Sequence, residues 1–346
     1  MSILSGVNEF FGLDIGTTAV RVVQLSGTGA SKSLVKYAYA PIDSKLALSD
    51  AKADQQKISQ VIKDLVIQSK LTTKNVAVGL PSQRVFTTLA DFESLTPAEL
   101  AKSIRLQADS FIPTPLSESK IDWAVVGNSP VDKTKVEVLL SSVPNTFVEA
   151  RLDMLESIGL NVISFEPDSL ALARAMIGSE ATAPQLVLDM GSKTTDLVIV
   201  MNGAPRLTRS IPTGSEAIVK AAMQNLNIDD KQAEQFVFKF GMSKDKLEGQ
   251  IYQAIIGTID TLISEVEKSI KFFVGRYPDQ KLDRIILTGG ASALPEFPLY
   301  LANKFAVNVE IGNAWRNISF PQDRQNELLA VSNHFGVAAG LAERNE

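Results

Sequence analysis

Cysteine is absent from this chain of 346 residues, and histidine occurs once, at position 334. A chain without cysteine has no disulfide framework, no thiolate zinc site and no cysteine nucleophile. With one histidine it also lacks a Ser-His-Asp set and a metal cluster of His and Cys ligands. These absences exclude several enzyme classes and suit a reducing cytoplasm.

Long apolar runs and basic runs are missing as well. No uninterrupted stretch approaches the roughly 18 residues that a membrane span needs, and residues 1–16 lack a cationic region and a cleavage site for a signal peptide. Lysine and arginine total 34 against 39 acids, which gives a formal net charge of −5. That balance argues against nucleic acid or anionic lipid as the main partner. We therefore expect a cytoplasmic protein that reaches a membrane only through its partners.

Two similar stretches stand far apart in a chain that is long enough for two lobes. GLDIGTTAVRVVQL occupies residues 12–25, and LVLDMGSKTTDLVIV occupies residues 186–200. Each reads as two strands joined by a tight turn, with an acid at the end of the first strand and a glycine two residues later. The pattern indicates an internal duplication, and it suggests a ligand held between two related halves.

The two turns have the chemistry of a phosphate site. Glycine lets a ligand approach the backbone closely, and successive N–H groups of a turn form a concave surface for an anion. The acids would repel phosphate unless a cation lay between them, so they suggest Mg²⁺ held largely through water. Taken alone, one such turn is more often a plain hairpin. Lys193 in the second turn could neutralise phosphate charge, but a surface lysine explains it nearly as well. The candidate residues are Asp14, Gly16, Thr17 and Thr18 in the first turn, and Asp189, Gly191, Ser192, Lys193 and Thr194 in the second.

A double glycine follows a third buried strand in DRIILTGGASALPEF. Gly289, Gly290 and Ala291 would let a base or ribose lie against the backbone, and Leu294-Pro295 marks the start of a helix. A further glycine turn at Gly214 lies between a strand and a helix.

Other segments give a coarse outline of the fold. The long apolar stripe of residues 247–275 predicts a core helix, and the alanine-rich residues 328–342 predict a final helix on which His334 has a packing or surface role. Thr96, Pro97 and Glu99 form a helix start with a capping box. Further predicted helices are 54–70 and 145–158, and further predicted strands are 75–81, 85–92, 120–127, 135–143 and 161–167.

The order of these features resembles the actin-like ATPase superfamily, which includes actin, sugar kinases, DnaK-type chaperones and FtsA. Asp14–Thr18 is similar to its first phosphate motif, Asp189–Asp196 to its second and Thr288–Ala291 to its adenosine motif. The resemblance implies an α/β, actin-like (ribonuclease H-like) two-lobed fold with duplicated mixed sheets and an inserted α/β subdomain, with ATP and Mg²⁺ between the lobes. The implied subdomains are 1A (1–85, completed by 163–184 and 324–346), 1C (86–162), 2A (185–204 and 283–323) and 2B (205–282).

Within the superfamily, the insert segment IRLQADSFIPTPL, residues 104–116, resembles the PilM family of type IV pilus assembly proteins. That likeness implies an ATP-binding scaffold of the pilus inner-membrane platform, at the inner face of the cytoplasmic membrane, in contact with motor ATPases and serving twitching motility. The implied partner is the N-terminal cytoplasmic tail of PilN, in a groove between 1A and 1C. The expected lining residues are Arg84, Phe86, Arg105, Phe111 and Ile112.

The resemblance also assigns roles to single residues. Glu166 lies where relatives orient the attacking water, Asp189 is a second catalytic candidate, and Glu265 with Lys268 match adenosine contacts. A solvated helix pair explains the last two residues about equally well. The chaperones' catalytic-lysine subdomain is missing, so the residues favour binding over turnover, with weak hydrolysis at most. A small-molecule kinase and an FtsA-like filament protein remain alternatives, and homo-oligomerisation stays open.

Overall fold

The computed structural model describes residues 9–27, 29, 32–178 and 180–345. They group into two compact units, the first from Met1–Arg174, Ala204–Thr208 and Val337–Glu346, the second from Ala175–Gly203 and Arg209–Gly336. Residues 1–8, on which the expectation of no signal peptide falls, lie outside the described residues. The division into four subdomains stays a prediction.

The regular elements alternate between strands and helices along the described chain. The strands are β1 (Phe11–Ile15), β2 (Ala19–Ser26), β3 (Lys32–Pro41), β4 (Asn75–Leu80), β5 (Phe86–Glu93), β6 (Ser119–Asn128), β7 (Lys135–Pro144), β8 (Asn161–Pro167), β9 (Gln185–Met190), β10 (Thr195–Met201), β11 (Ala204–Ile211), β12 (Arg284–Thr288), β13 (Asn308–Ile311) and β14 (Ile318–Ser319). The helices are α1 (Ser44–Ala47), α2 (Lys52–Gln68), α3 (Pro97–Gln107), α4 (Asn145–Ser157), α5 (Asp168–Met176), α6 (Ser215–Leu226), α7 (Asp230–Phe240), α8 (Gln250–Arg276), α9 (Phe297–Phe305), α10 (Gln325–Val331) and α11 (Gly336–Ala342). Short 3₁₀ turns occur at Ser82–Arg84, Ala108–Ser110, Leu116–Glu118, Leu247–Gly249, Gly290–Ala293, Gln322–Arg324 and Ser332–His334.

Two mixed sheets repeat one topology, which confirms the predicted duplication. In one sheet β3, β2, β1, β4 and β8 lie side by side, and in the other the order is β11, β10, β9, β12 and β13. In each, a hairpin is antiparallel (β1 with β2, β9 with β10), and two parallel pairings follow. The central strands β1, β4, β9 and β12 are mostly apolar and buried, because both of their faces are covered.

The insert forms a three-stranded sheet in the order β5, β7, β6, with both pairings antiparallel. Helix α3 covers it, and Phe92, Leu100, Ile104, Val138 and Leu140 form its buried core. The predicted capping box at the start of α3 is present, with Thr96 and Glu99 bonded reciprocally. The inserted α/β subdomain of the prediction is therefore confirmed as a fold element with its own core.

The predicted core helix of residues 247–275 is α8, which begins at Gln250. Its stripe is buried, with Ile255, Ile259 and Leu262 fully inaccessible to solvent. Burial of each such side chain stabilises the fold by about 1.5–3 kcal/mol. Leu247 and Glu248 both have positive φ and so cannot continue the helix at its beginning.

The prediction of one helix over residues 328–342 is wrong. The segment divides into α10, a 3₁₀ turn at Ser332–His334, and α11. Two polar groups bond outside the helix at this point: the Ser332 hydroxyl accepts from the Ala314 N–H (2.8 Å), and the Asn333 carbonyl accepts from the Gly289 N–H (2.8 Å). Since that carbonyl is turned toward another segment, the α-helical ladder breaks there.

Candidate functional site

The first turn is closed by its glycine. The Gly16 N–H donates to the Ala19 carbonyl at 3.1 Å. A side chain at position 16 would press on the Arg21 guanidinium, whose Nη1 lies 2.8 Å from the place of a Cβ. Thr17 and Thr18 form the tip of the turn, next to the end of the strand that carries Asp14.

Asp14 is paired with a residue that the sequence reading missed. In the hairpin register Asp14 lies opposite Arg21, and the Arg21 Nη1 donates to the Asp14 carboxylate at 3.2 Å. Burial raises the pKa of Asp14, and the guanidinium offsets part of that rise. Counting outward from the turn gives this cross-strand pair, so the signal was present in the sequence.

The second turn repeats the geometry of the first. The Gly191 N–H donates to the Thr194 carbonyl at 2.9 Å, and Asp189 lies opposite Asp196 in the hairpin. Because each glycine N–H already closes its turn, a bound phosphate would meet the N–H groups that follow. In this second turn those belong to Ser192, Lys193 and Thr194.

Gly214 supports the second turn. A Cβ at this position would collide with the carbonyl group of Ser192, so only glycine lets α6 begin this close to the turn. The first N–H groups of α6 donate to turn carbonyls: Ser215 to Gly191 and Glu216 to Ser192, both at 3.0 Å. The structure therefore gives Gly214 a packing role, while its predicted nucleotide contact stays a prediction.

Lys193 forms an ion pair at the same place. Its Nζ lies 2.5 Å from the Glu216 carboxylate, with 29% of the lysine side chain and 55% of the glutamate side chain exposed. Lys193 projects from the second turn with its charge already partnered, so its contact with phosphate stays a prediction. A phosphate that recruits this ammonium competes with Glu216.

The predicted second phosphate motif and the predicted adenosine motif lie together in the second unit. Strands β9 and β12 are parallel neighbours, and Thr288 is in register with Asp189. Gly289 has a φ of +83°, and a Cβ there would collide with the Asp189 carboxylate. Glycine at 289 is thus required both by the backbone conformation and by the approach of the acid. Ala291 is fully buried, so its side chain packs inside the unit.

The predicted adenosine contacts on α8 are held in an ionic network. Glu265 accepts from Lys268 (2.6 Å) and from Arg209 (2.5 Å). These two hydrogen bonds lower the pKa of Glu265, with Lys268 the larger cause. Arg209 also donates to the Ser269 hydroxyl at 3.1 Å. Sequence reading missed Arg209 because it lies 56 residues away, on β11.

Glu166 has a structural pairing in the first unit. It is buried at the end of β8, where its carboxylate pairs with the Arg174 guanidinium and, at 3.5 Å, with that of Arg344. Arg174 also donates to the Gly340 carbonyl of α11 at 2.7 Å. The role of Glu166 in orienting water stays a prediction. Through its ion pair with Arg174, Glu166 also supports the contact between α5 and α11.

The expected partner residues, one just before the insert and four within it, differ in their exposure. Arg84 pairs with Asp50 at 2.7 Å and lies over the Phe147 ring, while Phe86 begins the edge strand β5 and is 38% exposed. Phe111 is partly buried against the insert core. Ile112 is only 5% exposed and packs inside, so its side chain does not reach the surface. The fifth residue, Arg105, is exposed on α3.

Neither a ready-made metal cluster nor a membrane-spanning helix occurs in the described residues. No three or more His, Cys, Asp or Glu side chains there are grouped so that they could hold a metal ion. In the same residues, no helix is both long enough and apolar enough to cross a bilayer. A magnesium ion at Asp14 or Asp189 would therefore complete its shell with phosphate oxygens and water.

The fold has counterparts in known proteins. FtsA of Enterococcus hirae is 22% identical over 342 residues, which cover 87% of this chain and 77% of that protein. The structure of a PilM-PilN type IV pilus biogenesis complex matches with a TM-score of 0.80 and 25% identity, over 96% of this chain and 97% of the other. MreB5 of Spiroplasma citri, bound to ADP, matches with a TM-score of 0.57 and 14% identity, over 96% and 95%. These matches confirm the actin-like fold class.

A family model described as type IV pilus assembly protein PilM matches residues 12–346, which is nearly the whole chain. The chain therefore belongs to the PilM family of type IV pilus assembly proteins.

Proposed function

We propose that this protein is a nucleotide-loaded scaffold that joins the type IV pilus inner-membrane platform to its cytoplasmic components by binding the N-terminal tail of PilN. The likeness to a PilM-PilN complex, at a TM-score of 0.80 over 96% of the chain, is the observation that carries this proposal. The location is the cytoplasmic face of the membrane, reached through partners. Contact with motor ATPases, self-association and a role in twitching motility belong to the same proposal.

The insert supports peptide docking by its edge strand. β5 lies at one side of the three-stranded sheet, with β7 as its partner in that sheet. An extended peptide gains main-chain hydrogen bonds at such an edge, and side-chain contacts give specificity. Phe86 offers an accessible aromatic ring at the first residue of β5, and the Arg84 side chain is held in place beside it by Asp50 and Phe147.

Titration with a fluorescent peptide of the PilN tail from the same organism tests the docking surface. Phe86→Ala removes an exposed ring from the insert, and we expect the dissociation constant to rise by roughly tenfold or more, the loss typical of an aromatic anchor. Phe272→Ala is the matched control, because it removes a ring that is 67% exposed on α8 in the other unit. The control should bind as the parent does.

Equal binding by the parent, Phe86→Ala and Arg84→Ala would contradict docking at this edge. If the parent protein did not bind the PilN tail at all, the scaffold proposal itself would be refuted. Thermal unfolding of each variant checks that the fold is retained, since both side chains are exposed and their removal leaves no cavity.

The same proposal includes Mg-ATP, for which each unit offers a glycine-closed turn and the second unit also offers the double glycine. Asp14 and Asp189 each offer one carboxylate at the end of a strand, next to a glycine-closed turn. One or two carboxylates with phosphate oxygens and water suit Mg²⁺, which dehydrates reluctantly. When bound, the ion neutralises phosphate charge, while the turn N–H groups and Lys193 orient the phosphate oxygens.

Native mass spectrometry of the purified protein tests nucleotide loading. We expect a mass increment that corresponds to an adenine nucleotide, or its appearance after incubation with Mg-ATP. Asp189→Ala should abolish the increment at the same nucleotide concentration. A parent protein that remains nucleotide-free at millimolar Mg-ATP would refute this part of the proposal and leave PilN binding to be judged separately.

A further inference from the structure

The segment that precedes α11 is locked onto the double glycine. The Gly289 N–H and the Thr288 hydroxyl both donate to the Asn333 carbonyl, at 2.8 and 3.1 Å. In return the Asn333 amide donates to the Gly289 carbonyl at 3.2 Å and to the Ser292 hydroxyl at 3.3 Å. Four hydrogen bonds thus fix the position of this segment, and with it the position of the next residue, His334.

The His334 ring lies against Gly290. A Cβ at position 290 would lie 3.3 Å from the imidazole Cε1 and 3.8 Å from Nδ1, which are the nearest atoms beyond its two chain neighbours and the backbone of its own 3₁₀ turn. Gly290 is not among the glycines with positive φ, so its backbone does not demand glycine. The position is therefore open except on the side of an exposed imidazole.

The two glycines separate an acid from the histidine. Gly289 abuts the Asp189 carboxylate, and Gly290 abuts the His334 imidazole. Suppose that the terminal phosphates of a nucleotide, with their bound Mg²⁺, lie at Asp189. If the nucleotide then extends over Gly289 and Gly290, its sugar and α-phosphate reach the His334 imidazole. A ring with one donor and one acceptor nitrogen can bond ribose hydroxyls or an α-phosphate oxygen.

We propose that His334 is a nucleotide-contact residue whose imidazole meets the sugar and the phosphate attached to it. The inference rests on the proposed binding of nucleotide to this chain. It assigns a ligand contact to a residue for which the sequence predicted only packing or surface exposure, and it follows from the break between α10 and α11 that the sequence did not reveal.

The single histidine of the chain makes the test direct. Protein labelled with ¹⁵N-histidine gives imidazole NMR signals from one side chain, and calorimetry on the same sample measures binding independently. We expect ADP with Mg²⁺ to shift the His334 imidazole signals. Tripolyphosphate with Mg²⁺, which lacks the nucleoside, should leave them in place at a concentration that displaces ADP.

Substitution gives a second measurement. His334→Ala should raise the dissociation constant for ADP by roughly three- to tenfold, the worth of one hydrogen bond, and leave that for tripolyphosphate unchanged. Gly290→Ala fills the open position beside the ring and should also weaken ADP binding. Asn303→Ala, which truncates an exposed polar side chain of α9 in the same unit, is the control and should bind as the parent does.

The outcomes of these experiments distinguish failure of the His334 contact from failure of the proposed nucleotide binding. If calorimetry detects no ADP binding, nucleotide loading fails and the His334 contact fails with it. If ADP binds but the imidazole signals do not move and His334→Ala binds normally, only the contact is refuted. An equal shift with tripolyphosphate would also overturn the assignment, because it would place the ring at the terminal phosphates.

Discussion

Glu216 forms an ion pair with Lys193 in the second turn, and breaking that pair should strengthen the proposed binding of nucleotide. The Lys193–Glu216 pair is short, at 2.5 Å, but both side chains are partly exposed. A pair of this kind contributes about 0.2–1 kcal/mol, because water screens it. The pair thus imposes a small but measurable cost on any phosphate that takes the lysine.

Glu216→Gln removes the competitor and keeps the shape of the side chain. Since about 1.4 kcal/mol corresponds to a factor of ten, we expect the affinity for Mg-ATP to rise by about 1.4- to 5-fold. Glu234→Gln is the charge-matched control, because Glu234 is an exposed glutamate on α7. Titration with a fluorescent ATP analogue at low ionic strength measures both, and the gain should shrink in high salt.

A double-mutant cycle isolates the pair. Lys193→Ala should lower the affinity, and adding Glu216→Gln to it should restore nothing, because the lysine that Glu216 restrains is gone. A gain from Glu216→Gln that persists in the Lys193→Ala background would refute the competition. So would an equal gain from Glu234→Gln, which would point to general charge repulsion.

Two further predictions concern the buried acid of the first turn and the glycines of two helices. Asp14→Asn should raise the melting temperature of the ligand-free protein and weaken Mg-ATP binding by about 10- to 100-fold. Burial raises the pKa of Asp14 above its ordinary value of 3.8. Protonation of Asp14 therefore stabilises the folded parent protein fully below pH 3.8, and this stabilisation is lost as the pH rises through the raised pKa of the folded state. The stability gap between variant and parent should therefore narrow in acid, and a gap that widens there would contradict the argument. Gly340→Ala should lower the free energy of unfolding by about 1–3 kcal/mol or more, because the added Cβ would collide with the Ala171 carbonyl. Gly257→Ala, on an open part of α8, should instead gain about 0.5–1 kcal/mol, and denaturant titrations that rank the two variants alike would refute the packing account.

Local patterns in the sequence were sufficient for most elements. The capping residues before α3 and the apolar stripe of α8 act within a few residues of one another, so they can be read directly. The prediction of α2 over 54–70 agrees with Lys52–Gln68, and that of α4 over 145–158 agrees with Asn145–Ser157. The strand β3 and the helix α7 were not predicted.

In the candidate site, too, some residues were predicted from local patterns and others were not. Both glycine-closed turns were found from their composition. Asp189 is in register with Thr288 on the neighbouring parallel strand, and Gly289 follows directly. Arg21, Glu216 and Arg209 were missed, because each meets its partner across a hairpin or from another element. The pairing of Glu216 and Arg209 depends on packing, and that of Arg21 depends on a hairpin register that has to be counted from the turn, and composition reports neither.

The sequence by itself determined the duplicated turns, the insert and the family to which the chain belongs, since these depend on the order of residues along the chain. Only the tertiary structure decided which charges are already partnered and where the last helix breaks. The physical reason is that the Asn333 carbonyl bonds to Gly289, 44 residues away in sequence. A hydrogen bond over that separation overrides the local helical preference of an alanine-rich segment and sets His334 beside the double glycine.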